Sequence, residues 1–255
     1  MKRKHSAQRP STSSPLSDTE VEVFLREAFE SNYDRLRLET GYSLPDELKA
    51  AAWEQVLLYW RRLAELARRV TETEVRLTLP DQRTPKGRRF GIEGVVDIVR
   101  KDGRTVMYDL KTHPADTVRS HLPDYARQLN IYAHIWRHLR GQSLDETAII
   151  ATPLPAAVKK AFDSGDRANL AIALAGWEPV VPVPFSDAAV SDAVRNFGAT
   201  VDAIEEGCFR PPPPGRLRRK DGGKETFAER VCGNCDLRHS CESYRKHKAN
   251  RAQAA

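Results

Sequence analysis

An α/β sandwich is expected from three features of this chain. Apolar residues recur at helical spacing in "AAWEQVLLYWRRLAELARRV", and they alternate with polar ones in "TEVRLTL". The stretch "GIEGVVDIVRKDGRTVMYDLKT" reads as two strands joined at Asp102-Gly103, a strong hairpin signal. At 255 residues the chain can bury a full core, and that length favours one domain with appendages.

Residues 1–17 are rich in Ser, Pro and bases and are expected to form a disordered basic tail. Helical spacing runs from Asp18 to about Leu38 and again from about Leu44 to Val70. The first strand sets Val75, Leu77 and Leu79 on one face and Glu74, Arg76 and Thr78 on the other. After the hairpin come a helix from about Pro123 to Leu139 and a strand from Thr147 to Pro153. A helix near Ala156 to Leu174, a strand around Pro179 to Val183 and a long helix from about Ser186 to Glu206 complete a core spanning 18–207. Beyond it, "GCFRPPPPGRLRRKDGGKE" is too rich in Pro, Gly and charge to pack as an element. A basic loop and a Cys-rich module are expected over 208–246, with a tail at 247–255.

The net charge of +6 is unevenly spread. Residues 1–9 carry Lys2, Arg3, Lys4 and Arg9 without an acid, and residues 210–251 carry twelve Lys or Arg against five Asp or Glu, so the middle is acidic. Basic ends around an acidic centre suit a protein that touches a polyanion with its edges and holds a divalent cation inside; solubility is the plainer role of such charge. No run of 18 apolar residues exists, and "MKRKHSAQRPSTSSP" lacks the apolar core of a signal peptide. A cytoplasmic protein without a membrane partner is expected.

The hairpin carries charges where burial is expected. Asp109 and Lys111 are two apart on one strand and share a face with Met107, whereas Asp97 interrupts the apolar run Val95, Val96, Ile98, Val99 on the other strand. Two carboxylates buried side by side repel and take up protons unless a cation sits between them. Hard oxygen ligands select Mg²⁺ or Mn²⁺, and a nearby Lys can orient a water or share charge with a phosphate, so phosphodiester hydrolysis is the chemistry implied. The bland alternative is a weak surface ion pair. Gly94 three residues before Asp97 adds a G-x-x-D pattern, and Gln128 and Tyr132, four apart on the next helix, would sit beside the Asp109/Lys111 strand.

Together, Gly94-x-x-Asp97, Asp109-Leu110-Lys111-Thr112 and Gln128-x-x-x-Tyr132 resemble the PD-(D/E)XK nuclease superfamily, and within it the RecB-like branch, from about Glu72 to Tyr244. That branch includes RecB and AddB nuclease domains, nuclease domains fused to UvrD-like helicases, and CRISPR-associated RecB-like exonucleases. The resemblance implies a restriction-endonuclease-like core, a central mixed sheet flanked by helices. It implies that Asp97 and Asp109 ligate Mg²⁺ or Mn²⁺ with the backbone carbonyl of Leu110. Lys111 would then position or activate the attacking water, supported by Gln128 and Tyr132. Glu74 stands where the family often has a further acid, with Glu54 on the preceding helix as a competitor. Many members place a His on that helix, and this chain has none between His5 and His113.

All four cysteines lie late in the chain: Cys208, Cys232, Cys235 and Cys241. The last three form C-x2-C-x5-C, a chelating spacing better suited to metal than to disulfides in a cytoplasmic protein. RecB-like relatives often use such a tail, with a Cys from before the core, to hold a [4Fe-4S] cluster. No Cys precedes the core here, so Cys208 could be the fourth ligand, His239 could complete a zinc site instead, or the loop could pack without metal.

The functional expectation is therefore a metal-dependent DNA nuclease, acting as an exonuclease on single-stranded or end-processed duplex DNA. A separate helicase or other DNA-processing partner is expected, because the chain has no G-x-x-x-x-G-K-[ST] of its own. DNA repair and antiviral defence are both compatible roles. A DNA-binding subunit with a weak or partner-activated site is the alternative. A restriction-type endonuclease is disfavoured by the Cys tail.

Overall fold

The computed structural model describes residues 16–208, 210–220 and 225–253, so all but the last two residues of the expected N-terminal tail lie outside the described residues. In chain order the elements are α1 (Asp18–Thr40), α2 (Asp46–Arg68), β1 (Val70–Arg83), β2 (Arg89–Lys101), β3 (Thr105–Lys111), α3 (Ala115–Ser120), α4 (Leu122–Arg140) and β4 (Glu146–Ala151). They continue with α5 (Ala156–Asp163), α6 (Arg167–Ala175), β5 (Val180–Val183), α7 (Asp187–Glu205), α8 (Pro214–Leu217), α9 (Phe227–Arg230) and α10 (Glu242–Gln253). Where length favours one domain, the contacts divide the chain into two compact units: Met1–Arg68 with Thr152–Trp177, and Arg69–Ala151 with Glu178–Ala255.

The first unit is helical. Ser17 opens α1 with a capping box, its hydroxyl and backbone N–H engaging Glu20. Leu58 of α2, Val158 of α5 and Trp177 form a buried cluster with Phe162, Leu170 and Leu174 packed on it. The helical spacing predicts one helix from Ala156 to Leu174, but two form. Gly165 takes φ +69°, which ends the first, and the Asp166 carboxylate caps the second by accepting from the N–H groups of Ala168 and Asn169.

The second unit holds a five-stranded mixed sheet in the order β1-β2-β3-β4-β5. β1, β2 and β3 form antiparallel hairpins, β3 and β4 run parallel, and β5 is antiparallel to β4. The parallel pair needs a long crossover, which α3 and α4 supply. At the β2–β3 turn Gly103 adopts φ +83°, the left-handed conformation for which the Asp-Gly pair is suited. Leu77 and Leu79 of β1, Ile92, Val96 and Val99 of β2, Met107 of β3 and Ile149 of β4 bury against Leu129, Ala133 and Trp136 of α4 and Val190 of α7.

One irregularity in this core matters for the site. Val96 and Val99 are three apart, so a regular strand would send them to opposite faces, yet both join this apolar cluster. The alternation therefore breaks between them, at the step that carries Asp97. Opposite that step, between the paired residues Thr73↔Ile98 and Val75↔Val96, Glu74 of β1 has φ +52°.

After α7, the stretch expected not to pack does form α8. Leu217 is fully buried against Ala228 and Cys232, with Phe227 and Tyr244 beside them, so a single apolar side chain anchors the basic run. α10 occupies residues where a tail is expected to begin. It is polar all round and gains support from pairs such as Glu242–Lys246 at 2.6 Å. Among the described residues no helix is long and apolar enough to cross a membrane.

The cap of α9 is pH-sensitive. Glu229 accepts from the Thr226 N–H at 2.8 Å, and this bond, together with Arg251 and the Thr226 hydroxyl, holds its carboxyl at about 2. A depressed carboxyl contributes stability above its unfolded pKa and loses it as pH falls toward the folded value. The stability advantage of wild type over Glu229→Gln is thus expected to be full above pH 4.5 and to disappear on approach to pH 2. Urea titrations of both proteins across that range test this, and an advantage that persists at pH 2 would assign it to something other than the carboxylate.

Candidate active site

Asp97 and Asp109 stand one step beyond the paired residues Ile98 and Tyr108, which places the two carboxylates side by side on adjacent strands. Asp109 is only 4% exposed. Burial pushes its carboxyl up, the ammonium of Lys111 opposes the shift, and Asp97 adds to it. Asp97 is half-buried, not buried as its apolar neighbours suggest. The break in alternation along β2 turns its carboxylate to the edge of β3, where Oδ2 accepts from the Leu110 N–H at 2.6 Å.

Lys111 links the strand to the helix. Its Nζ lies 2.6 Å from Asp109 Oδ2 and donates to Gln128 Oε1 at 3.0 Å. Gln128 Nε2 in turn donates to the Tyr132 hydroxyl at 2.8 Å. The Tyr132 ring lies directly over Gly94: a Cβ at position 94 would overlap Cε1 of the ring and come within 3.1 Å of Cδ1. The glycine is required here for close approach, so the G-x-x-D, D-x-K and Q-x-x-x-Y patterns meet in one constellation built from β2, β3 and α4.

The acid partners beyond this pair are less regular. Glu74 lies in the same row as Asp97 but is exposed and left-handed, and it joins no group of three ligating side chains. Glu54 lies on α2, in the other unit. A left-handed non-glycine residue costs on the order of 1 kcal/mol. Glu74→Gly is therefore expected to raise the melting temperature by a few degrees. If Glu74 serves the site, the same change lowers cleavage while Glu74→Asn, which tolerates the conformation, isolates the loss of the acid; calorimetry beside a cleavage assay reads both.

A pair that the sequence does not single out borders this set. The Tyr125 hydroxyl hydrogen-bonds to His113 Nδ1 at 3.1 Å, and burial raises its pKa while Lys111 draws it down. The only signals were a His two residues past Lys111 and a Tyr one helical turn before Gln128.

Asp97 and Asp109 offer hard oxygens at a point where mutual repulsion and burial disfavour two bare carboxylates. Both features suit a divalent cation, with the Leu110 carbonyl as the further protein ligand expected from the motif. Among the described residues no three His, Cys, Asp or Glu side chains gather as a metal-ligand group. A two-carboxylate site fits Mg²⁺ or Mn²⁺, since Mg²⁺ retains several waters.

The cysteines lie in different surroundings. Cys232 is buried in the small core beside Leu217, Cys235 is exposed, and Cys241 is half-buried. Burial pushes the Cys232 thiol up, with Cys241 and Cys235 adding to the shift. Cys208 is exposed just past α7, its N–H donating to the Ala203 carbonyl. His239 completes no group with them among the described residues. Among the described residues no ligand group for the expected [4Fe-4S] cluster or Zn²⁺ is seen.

Comparison with known proteins shows the family. No curated protein matches the chain. The solved crystal structure of SSO0001 aligns with a TM-score of 0.40 and 14% sequence identity, over 94% of this chain and 90% of that one. The family model of the PD-(D/E)XK nuclease superfamily, whose members are typically metal-dependent phosphodiester hydrolases, matches residues 2–242. With that match across nearly all of its length, the chain belongs to the PD-(D/E)XK nuclease superfamily.

Proposed function

We propose that this protein is a DNA nuclease of the RecB-like branch, cutting strands from an end and working with a helicase or another DNA-processing protein. The observation that carries the reading is the position of Lys111, whose ammonium is held between Asp109 at 2.6 Å and Gln128 at 3.0 Å. A surface ion pair would need no third group, no buried carboxylate and no glycine opening for a tyrosine.

Asp97, Asp109 and the Leu110 carbonyl would hold Mg²⁺ or Mn²⁺, which neutralises charge on the reacting phosphate and lowers the pKa of a water. Lys111 orients the attacking water and shares the negative charge that builds on the phosphate. Gln128 keeps the ammonium pointed at that position, and the Tyr132 hydroxyl in turn fixes the Gln128 amide, so side-chain freedom is removed before substrate arrives. The basic C-terminal segment, with Arg210, Arg218 and Lys220, supplies phosphate-backbone attraction.

End-labelled single-stranded and duplex DNA incubated with the purified protein and Mg²⁺, Mn²⁺ or EDTA tests this reading. Metal-dependent shortening from one end supports it, and the label position reports polarity. Internal cuts would remove the exonuclease part. Binding without cutting would favour a recruited subunit whose site a partner completes.

A further inference from the structure

We infer that a cleft beside the metal site takes one unpaired nucleobase of the substrate strand. The inference rests on the nuclease reading and adds to it a preference for single-stranded DNA next to the cut. The cleft has a volume of about 380 Å³, at the small end of ligand pockets. Gln128 and Tyr132 line both it and the Lys111 constellation, so whatever occupies it lies next to the reacting phosphate. A nucleic-acid strand bound at the site has a base within reach of that position.

The walls suit a planar ring with polar edges. Ile131 of α4 and Phe197 of α7 are apolar sides, each on the helix face that looks across the cleft, as the i, i+4 spacing from Arg127 to Ile131 and from Ala193 to Phe197 dictates. Phe197 is 41% exposed. It stacks on Phe90 with ring centroids 5.9 Å apart and planes at 24°, and Phe90 packs on the main core. The exposed ring is thereby braced as a stacking platform, and every base offers a π-face to such a ring. At the edges, the Glu93 carboxylate only accepts hydrogen bonds, and the Asn196 amide both donates and accepts. A paired base has its edges engaged and its faces stacked, so it enters only after leaving the duplex.

The test uses the full-length protein in EDTA and fluorescence anisotropy with a short labelled single strand, into which one abasic position is walked along the sequence. Phe197→Ala is expected to weaken binding about 5- to 140-fold, the range for losing one base–aromatic stack. One abasic position should produce a similar loss that Phe197→Ala does not deepen. Asn196→Ala, at an exposed helical position, should show the same coupling with a smaller loss and guards against misfolding of the Phe197 variant. Both variants binding as wild type, or losses that add at every position, would overturn the pocket. Cleavage of the intact strand with Mg²⁺ is measured alongside. Cutting without the coupling defeats the pocket alone, coupling without cutting supports the pocket and defeats the nuclease reading, and neither binding nor cutting defeats both.

Discussion

Asp109→Asn is expected to lower cleavage by at least about 10³-fold while leaving the fold as stable as wild type or slightly more so. The side chain is nearly isosteric, so the packing around position 109 survives. Removing the charge relieves the burial that raises the Asp109 carboxyl and its repulsion from Asp97. Lys111→Met removes the ammonium that draws that carboxyl down, and leaves Gln128 Oε1 without its donor. Cleavage should fall by a similar order, with DNA affinity in EDTA changing little for either variant. Single-turnover cleavage beside chemical denaturation checks the pair. A loss of activity that merely follows a loss of stability would make the constellation structural, and wild-type rates in either variant would remove the active-site assignment.

Gly94→Ala has the second largest expected effect, and it acts through a residue with no chemistry of its own. The added methyl overlaps the Tyr132 ring, so the ring must move or β2 must shift away from α4. Overpacking of this kind costs about 1–3 kcal/mol. Displacing Tyr132 also releases Gln128, and through it Lys111, so cleavage should drop by roughly 10²-fold, the scale seen when a catalytic group is misplaced by about an ångström. Tyr132→Phe keeps the clash and loses only the hydroxyl bond, so it should not rescue Gly94→Ala. Tyr132→Ala makes room, so the double variant should regain stability relative to Gly94→Ala without regaining activity. Denaturation and cleavage of wild type, Gly94→Ala, Tyr132→Ala and their double variant form a double-mutant cycle, and additive stabilities would show that the two positions do not interact.

Much of the second unit was legible in the linear sequence. β2 and β3 follow from apolar stretches on either side of the Asp102-Gly103 turn signal, and α4 from apolar residues at helical spacing, because these are short-range rules acting within a few residues. Periodicity likewise pairs Asp109 with Lys111 and Gln128 with Tyr132, since residues two apart on a strand and four apart on a helix share a face, whereas joining these to Asp97 rested on the motif resemblance. The break at Asp97 was not legible. Nothing local in "GVVDIV" marks it, and it arises from how β1, carrying a left-handed Glu74, pairs with β2.

Tertiary structure also decided matters that composition had suggested wrongly or not at all. The basic stretch after α7 packs because Leu217 finds Ala228 and Cys232, a contact no window of the sequence contains. Burial of Cys232 in that contact sets it apart from Cys208 and Cys235, which are exposed. The sequence by itself determined which residues could carry the chemistry and on which elements they sit, because side-chain periodicity and turn propensity are properties of neighbours along the chain. Only the folded structure decided which of them meet, since meeting depends on strand register, on the room Gly94 leaves for Tyr132, and on burial that is settled by residues far away in sequence.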